Sequence, residues 1–176
     1  MSRGLAAVRA APYDGRVMLL PDRLGAIADA VAVFRRHRVP YALIGGLAVG
    51  IRSGVPRATL DVDFGVATTV SRRAMATWFE AAKLRGTGEF RHSLHFEHVS
   101  GEPVQLAFDP GFDAMIERAQ MIAFGDLEIC VVTTSDLMAM KRRAASDPDR
   151  RRSRALRDQA DIAVLEGDVP AADEGW

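Results

Sequence analysis

Residues 41–46 and 60–65 constrain the fold of this chain more than any other part of the sequence. Tyr41–Ile44 is wholly apolar and is followed by Gly45 and Gly46, which predicts a buried strand that runs into a tight turn. Residues 60–65 instead alternate apolar side chains with two aspartates and a glycine, which is the period of a half-buried strand. Between the two segments, Leu47–Arg52 is predicted to form a short helix.

Patterns along the rest of the chain predict a mixture of helices and strands. Apolar residues recur at helical spacing from residue 24 towards Pro40 and again after Ser71, which is a predicted N-cap. Later helices are expected at 112–118, from Thr134 or Ser135 to Ala145, and from Ser153 to Glu166, and strands at 94–99, 104–108, 121–124 and 127–132. Because strands and helices do not alternate strictly, we expect an α+β or α/β domain with a small mixed sheet flanked by helices.

The length, charge and cysteine content suit a single globular domain. The 176 residues divide into an irregular segment over 1–21, a domain over 22–167 and a tail over 168–176. Basic and acidic residues both total 23 and the pI is near 6.9, which argues against binding to nucleic acid or membranes by bulk charge. The longest uncharged stretch, 39–51, is shorter than the roughly 20 apolar residues of a spanning helix. The lone Cys130 is expected in the core of a soluble, cytoplasmic protein.

Asp61 and Asp63 are the strongest candidates for a metal site. On a strand, side chains two residues apart leave the same face, and their Cα atoms lie roughly 6–7 Å apart. That separation suits Mg²⁺, which takes oxygen ligands and commonly bridges carboxylates to substrate phosphates. The alternative is that both aspartates belong to a polar, solvent-exposed strand face.

The two segments together resemble the signature of the DNA polymerase beta type nucleotidyltransferase superfamily. In that signature an apolar strand and a Gly-Gly turn precede a strand of the form hydrophobic-Asp-hydrophobic-Asp, as in Tyr41–Gly46 and Arg57–Phe64. The closing segments Ser135–Lys141 and Arg157–Ile162 are similar to those of minimal nucleotidyltransferases in the abortive infection type E toxin family. The resemblance therefore implies a nucleotidyltransferase-like fold with a helical C-terminal part.

The resemblance also implies an activity and a set of residues for it. The expected reaction is transfer of a nucleoside monophosphate from an NTP to a hydroxyl of RNA, a protein or a small molecule, with Mg²⁺ or Mn²⁺. Residues 22–109 would form the nucleotide and metal core, and residues 110–167 the C-terminal part. A toxin role with a cognate antitoxin is implied, and antibiotic nucleotidyltransferases share the front motif. Expected metal ligands are Asp61 and Asp63, expected catalytic residues are these two and Lys141, and expected nucleotide contacts are Gly45, Gly46, Arg57, Thr59, Lys141 and Asp158.

One position departs from the family pattern. A third carboxylate is expected on the strand beside the aspartate pair, and the local counterpart is Gln105, whose amide cannot accept a proton. Asp109 leaves the same face but lies roughly 13 Å further along a straight strand, so it can substitute only if the strand bends. The alternative to an enzyme is a catalytically weakened fold that binds a nucleotide or a partner.

The sequence allows two interpretations for each of several charged residues near the C-terminus. Lys141 interrupts an apolar helix stripe, so its ammonium either faces phosphate or extends to solvent over a packed stem. Asp158 and Asp161 share one helix face and either close a charge network or are solvated. Residues 141–157 carry a local charge of +6, which is either a solvated face or a docking site for RNA, such as tRNA, or for an acidic partner.

Three histidines at 92, 95 and 98 resemble a metal cluster. On a strand, however, His95 faces away from the other two, and His92 and His98 are about 20 Å apart. We therefore expect no shared metal site.

Overall fold

The computed structural model describes residues 22–169, which form a mixed sheet with helices packed against it. The helices are α1 (Arg23–Arg36), α2 (Gly45–Ser53), α3 (Arg72–Glu80), α4 (Pro110–Glu117), α5 (Thr134–Ala145) and α6 (Arg152–Leu165). The strands are β1 (Tyr41–Ile44), β2 (Val62–Val66), β3 (Leu84–Phe90), β4 (Ser93–His98), β5 (Pro103–Ala107), β6 (Gln120–Phe124) and β7 (Leu127–Val131). The expected mixed α and β architecture is confirmed. The segment 1–21 and most of the tail lie outside the described residues.

The seven strands form one sheet in the order β3-β4-β5-β2-β1-β7-β6. The pairs β1–β2, β3–β4, β4–β5 and β6–β7 are antiparallel, whereas β2–β5 and β1–β7 are parallel. The antiparallel β1–β2 pairing and the parallel β2–β5 pairing place Ile44, Asp63 and Gln105 side by side in the middle of the sheet. The sheet therefore places residues from distant parts of the sequence side by side.

An aromatic cluster fastens α1 and α3 to the sheet. Phe34 of α1 stacks on Tyr41 with 4.2 Å between ring centroids and meets Phe64 of β2 edge-on at 5.1 Å. Phe79 of α3 completes the cluster at 5.4 Å from Phe34. All four rings are buried, so their packing stabilises this side of the sheet through removal of apolar surface from water.

The structure corrects several predicted boundaries. Strand β3 was not predicted, because its two glycines and its mostly exposed side chains hide the alternating pattern. Strand β2 begins at Val62, so Asp61 lies just before the strand, and Leu60, expected on the apolar face, is 85% exposed. The short second helix begins at Gly45 itself, two residues before the predicted start.

Helix caps are partly as predicted. Ser71 accepts a hydrogen bond from the amide of Ala74, as expected of an N-cap. Helix α5 is capped by Thr133 rather than by Thr134 or Ser135, because the Thr133 hydroxyl accepts from the amide of Asp136. Helix α6 begins at Arg152, one residue before the predicted cap, and Arg151 makes no side-chain cap.

Cys130 is half-buried rather than part of the core, and its Sγ lies 3.2 Å from Met121 Sδ. Burial raises the pKa of its thiol. No helix among residues 22–169 is long and apolar enough to cross a membrane.

Candidate active site

A cleft of about 440 Å³ lies between the central strands and the two C-terminal helices. Its floor is formed by the end of β1, the start of α2, and β2 with β5, and its opposite wall by α5 and α6. All eight residues that the sequence predicted for the site line this cleft. Also lining it are Ala58, Leu60, His95, Gln105, Arg150, Arg154, Arg157 and Asp161.

Gly45 lets the strand end and the Asp63 carboxylate approach each other. The β1–β2 register pairs Ile44 with Asp63, so residue 45 lies at the edge of the acidic position. Gly45 has a φ of +71°, and a Cβ built on it would lie 2.2 Å from Asp63 Oδ2. A side chain at position 45 would be strained in its backbone and would occupy the place of the carboxylate. Gly46 is also tightly placed, since its Cβ would lie 3.1 Å from the Thr59 side chain.

The two aspartates differ in their surroundings. Asp61 accepts hydrogen bonds from Gln105 Nε2 at 2.8 Å and from Thr59 Oγ1 at 3.2 Å. Asp63 is more enclosed, and burial together with the neighbouring Asp61 charge raises its pKa to about 7, while Lys141 opposes the shift. The paired carboxylates therefore repel each other, and a cation between them would relieve the repulsion.

Gln105 occupies the place beside the aspartates that the sequence assigned to it. Strand β5 runs parallel to β2, with Gln105 as the register partner of Asp63. Asp109 does not line the cleft: β5 ends at Ala107, and Asp109 caps α4 by accepting from the amide of Gly111 at 2.8 Å.

A network of buried charges joins the C-terminal helices to the loop before β2. Lys141 Nζ lies 3.0 Å from Asp158 Oδ1 and 2.8 Å from Asp161 Oδ2. Arg57 Nε contacts Asp161 at 2.6 Å, and Arg150 Nε contacts Asp158 at 2.5 Å. Both carboxylates are only 3–4% exposed, and the Lys141 side chain is 15% exposed. Asp158 and Asp161 therefore close a charge network, and Lys141 does not extend into solvent.

The other cleft residues were not predicted as site residues. Arg150, Arg154 and Arg157 belong to the basic run, but the pattern alone did not separate them from solvated arginines. His95 lines the cleft, whereas His98 is buried against Asp29 and Ser100 on the other face. His95 could have been predicted as a cleft residue from its position opposite Gln105 on the neighbouring strand. That position is known only once the register between β4 and β5 is known.

The residues present fit a divalent cation held by two carboxylates. Asp61 and Asp63 offer hard oxygen ligands, and Mg²⁺ characteristically uses one or two carboxylates together with substrate phosphates and water. Within residues 22–169, no group of three or more His, Cys, Asp or Glu side chains is arranged to hold a metal. This donor set therefore suits a shared site completed by a phosphate ligand, and does not suit a closed structural metal centre.

The family profile described as nucleotidyl transferase AbiEii toxin, type IV TA system, matches residues 28–174. The chain belongs to this family. The predicted resemblance is confirmed, and the chain is a nucleotidyltransferase of a toxin–antitoxin toxin family, for which an NTP substrate and a cognate antitoxin are implied. No curated protein matches the sequence closely enough to count as a relative.

Solved structures of nucleotidyltransferases share the fold at low identity. The lincomycin-bound lincosamide antibiotic adenylyltransferase LnuA is 13% identical, with a TM-score of 0.58 over 82% of this chain and 96% of that chain. The antibiotic-resistance factor ANT(2'')-Ia is 14% identical, with a TM-score of 0.59 over 83% and 85%. An antigenic nucleotidyltransferase-like protein from Paracoccidioides brasiliensis is 19% identical, with a TM-score of 0.58 over 88% and 81%. These similarities confirm the nucleotidyltransferase-like fold.

Replacing Gly45 with alanine should damage the site beyond the cost of backbone strain. Gly54 is the matched control, because it ends the same helix with a φ of +74° and has nothing within 4 Å of a built Cβ. We expect Gly54→Ala to lower the free energy of unfolding by about 1–2 kcal/mol. Gly45→Ala should lower it by about 1–3 kcal/mol more, because its methyl group overlaps Asp63. Denaturant unfolding of both variants measures the difference, and equal losses would contradict the close approach.

Asp63→Asn should stabilise the metal-free protein at neutral pH. The folded-state pKa is raised from 3.8 to about 7, so the unfolded chain binds fewer protons between these values and stability falls as the pH rises through them. The variant lacks this loss and should exceed wild type above pH 7 by an amount on the order of 1–4 kcal/mol. Unfolding curves in EDTA at pH 4 and pH 8 test this, and a difference that does not grow between them would refute it.

Proposed function

We propose that this protein catalyses metal-dependent transfer of a nucleoside monophosphate from an NTP to a hydroxyl group of RNA. The observation that carries the proposal is the position of Asp61 and Asp63 beside the Gly45 turn, across the cleft from Lys141. This arrangement combines two carboxylates suited to a metal, the backbone amides at the start of α2 and a largely buried ammonium. It matches the need of phosphoryl transfer for positioning and charge neutralisation.

Each part of the cleft has a role in this reaction. Asp61 and Asp63 would hold Mg²⁺ or Mn²⁺, which supplies Lewis-acid charge at the phosphates when bound. Thr59 and Gln105 orient Asp61 through their hydrogen bonds. The first turn of α2, at Gly45 and Gly46, would offer to the triphosphate the amides that have no partner within the helix and the positive end of the helix dipole.

The basic residues divide into two groups by their partners. Lys141 and Arg57 line the cleft and form ion pairs, Lys141 with both buried aspartates of α6 and Arg57 with the second of them. These ion pairs would hold the two cations in place for phosphate contacts. Asp158 therefore acts through Lys141 and positions it.

Arg154 and Arg157 also line the cleft, and neither forms an ion pair within the described part of the chain. Two arginines at the open wall, in a segment of local charge +6, favour an acceptor with its own phosphates. RNA, including tRNA, is such an acceptor. A small-molecule antibiotic would not use this charge.

The central test is transfer of label from α-labelled NTPs, each supplied with Mg²⁺, to total RNA or tRNA. Wild type should label RNA, EDTA should stop the reaction, and Asp61→Asn should lower the rate by about 10²-fold or more, because a metal ligand is lost. Asp29→Asn is the matched control, since Asp29 lies outside the cleft. Nucleotide binding without transfer to any acceptor would favour the binding-module alternative, and labelling of protein or a drug instead would reject RNA as the acceptor.

The acceptor contact has a separate salt-dependence test. Arg154→Gln/Arg157→Gln should weaken RNA binding and reduce the slope of log affinity against log salt by about 1.4, which is roughly 0.7 for each lost phosphate contact on a single strand. Arg151→Gln/Arg152→Gln is the control with the same charge change on exposed residues outside the cleft. If both double variants reduce the slope equally, general charge explains the binding and the cleft arginines have no special part.

A further inference from the structure

The position beside the aspartate pair lacks a proton acceptor. Gln105 is the register partner of Asp63, and its amide nitrogen donates to Asp61. An amide neither takes a proton from a hydroxyl nor carries the charge of a carboxylate. Asp61 and Asp63 are assigned to the metal, so neither is free to serve as the base. An attacking hydroxyl therefore needs a base from another element.

The neighbouring strand supplies a candidate in the same row of side chains. In the β4–β5 pairing His95 is the register partner of Gln105, so Asp63, Gln105 and His95 follow one another across three adjacent strands. Neighbouring strands are about 4.8 Å apart, which places His95 one strand beyond Gln105 on the side away from β1. His95 also lines the cleft.

The imidazole of His95 is held in place by two contacts. Its Nε2 lies 3.0 Å from Ser93 Oγ, and its ring packs against Phe90 with 4.5 Å between centroids. When Nε2–H donates to Ser93 Oγ, Nδ1 carries the lone pair that can accept a proton. A third group that orients the base is the arrangement expected of acid–base catalysis.

We propose that His95 is the general base that activates the acceptor hydroxyl in the reaction proposed above, on which this inference rests. The hydroxyl proton passes to His95, directly or through one water, as the hydroxyl oxygen attacks the α-phosphorus. The new oxygen–phosphorus bond forms while the bond from the α-phosphorus to the bridging oxygen breaks. Pyrophosphate leaves with that electron pair, and the imidazolium then returns its proton to solvent.

The experiment compares wild type, His95→Gln and the matched control His92→Gln, which alters an exposed histidine outside the cleft. Transfer to RNA is measured at saturating NTP, and binding of a non-hydrolysable NTP analogue with Mg²⁺ is measured by calorimetry. We expect His95→Gln to lower kcat by about 10²- to 10⁴-fold, the range of a positioned base. Analogue affinity should stay unchanged, and His92→Gln should behave as wild type.

Two further variants separate a base from a structural residue. Added imidazole should restore part of the rate of His95→Ala, because it can enter the vacated space and accept the proton. Gln105→Asp supplies a carboxylate beside Asp61 and Asp63, so it should raise the rate more in the His95→Gln background than in the wild-type background, where His95 already accepts the proton. A structural role of His95 predicts no recovery by imidazole and an equal effect of Gln105→Asp in both backgrounds.

The outcomes distinguish this inference from the proposed function. If wild type transfers nucleotide and His95→Gln does so at the same rate, the inference is wrong and the proposed function stands. A slow His95→Gln that has also lost analogue binding, with no recovery by imidazole, would likewise overturn it. A wild type that transfers to no acceptor would overturn both.

Discussion

Two buried carboxylates on α6 determine how the C-terminal helices sit on the sheet. Asp158 and Asp161 are nearly inaccessible to solvent, and burying them without partners would cost several kcal/mol each. Lys141, Arg57 and Arg150 neutralise them from α5, from the loop before β2 and from the turn before α6. An arrangement that separated α6 from that loop would break the Arg57–Asp161 pair and leave Asp161 with Lys141 as its single partner. The network therefore holds the wall of the cleft opposite Asp61 and Asp63.

The other side of the cleft depends on the register of β1 and β2. That register sets Ile44 opposite Asp63 and makes glycine necessary at position 45, because the carboxylate occupies the volume of a Cβ. The backbone amides at the start of α2 and the acidic pair are thus brought together by one packing constraint. Joint binding of a metal and a phosphate would need this proximity, and its mark in the sequence is the glycine pair at 45 and 46 upstream of the aspartates at 61 and 63.

Local patterns predicted the elements well and long-range pairings poorly. The apolar strand, glycine turn and alternating aspartates are local, so Gly45, Asp61 and Asp63 could be predicted from spacing and from the family resemblance. Lys141 and Asp158 could be predicted as site residues only from the family resemblance, because a lone lysine or aspartate on a helix is equally well explained as a solvent-exposed side chain. The position of His95 beside Gln105 and Asp63 depends on the pairing of β4 with β5 and of β5 with β2. His95 and Asp63 are far apart in sequence, and no periodicity in the sequence predicts the register that aligns them.

The edge strand β3 is a second structural feature that local sequence patterns did not predict. Its glycines and exposed side chains lack the alternation that reveals a strand, yet it pairs with β4 along most of its length. Its Phe90 then packs on the His95 ring. An element that sequence patterns do not reveal therefore helps to hold a residue of the cleft.

The charge of the cleft explains why a neutral protein can act on phosphates. Five basic side chains and four carboxylates line it, so the cleft has little net charge with which to attract a triphosphate. Asp158 and Asp161 offset most of the field of Lys141, Arg57 and Arg150, while Asp61 and Asp63 repel phosphate directly. A divalent cation at the aspartates would neutralise their negative charge at the point where the phosphates must lie. The proposed function therefore ties nucleotide affinity to metal binding and assigns Arg154 and Arg157 to the acceptor.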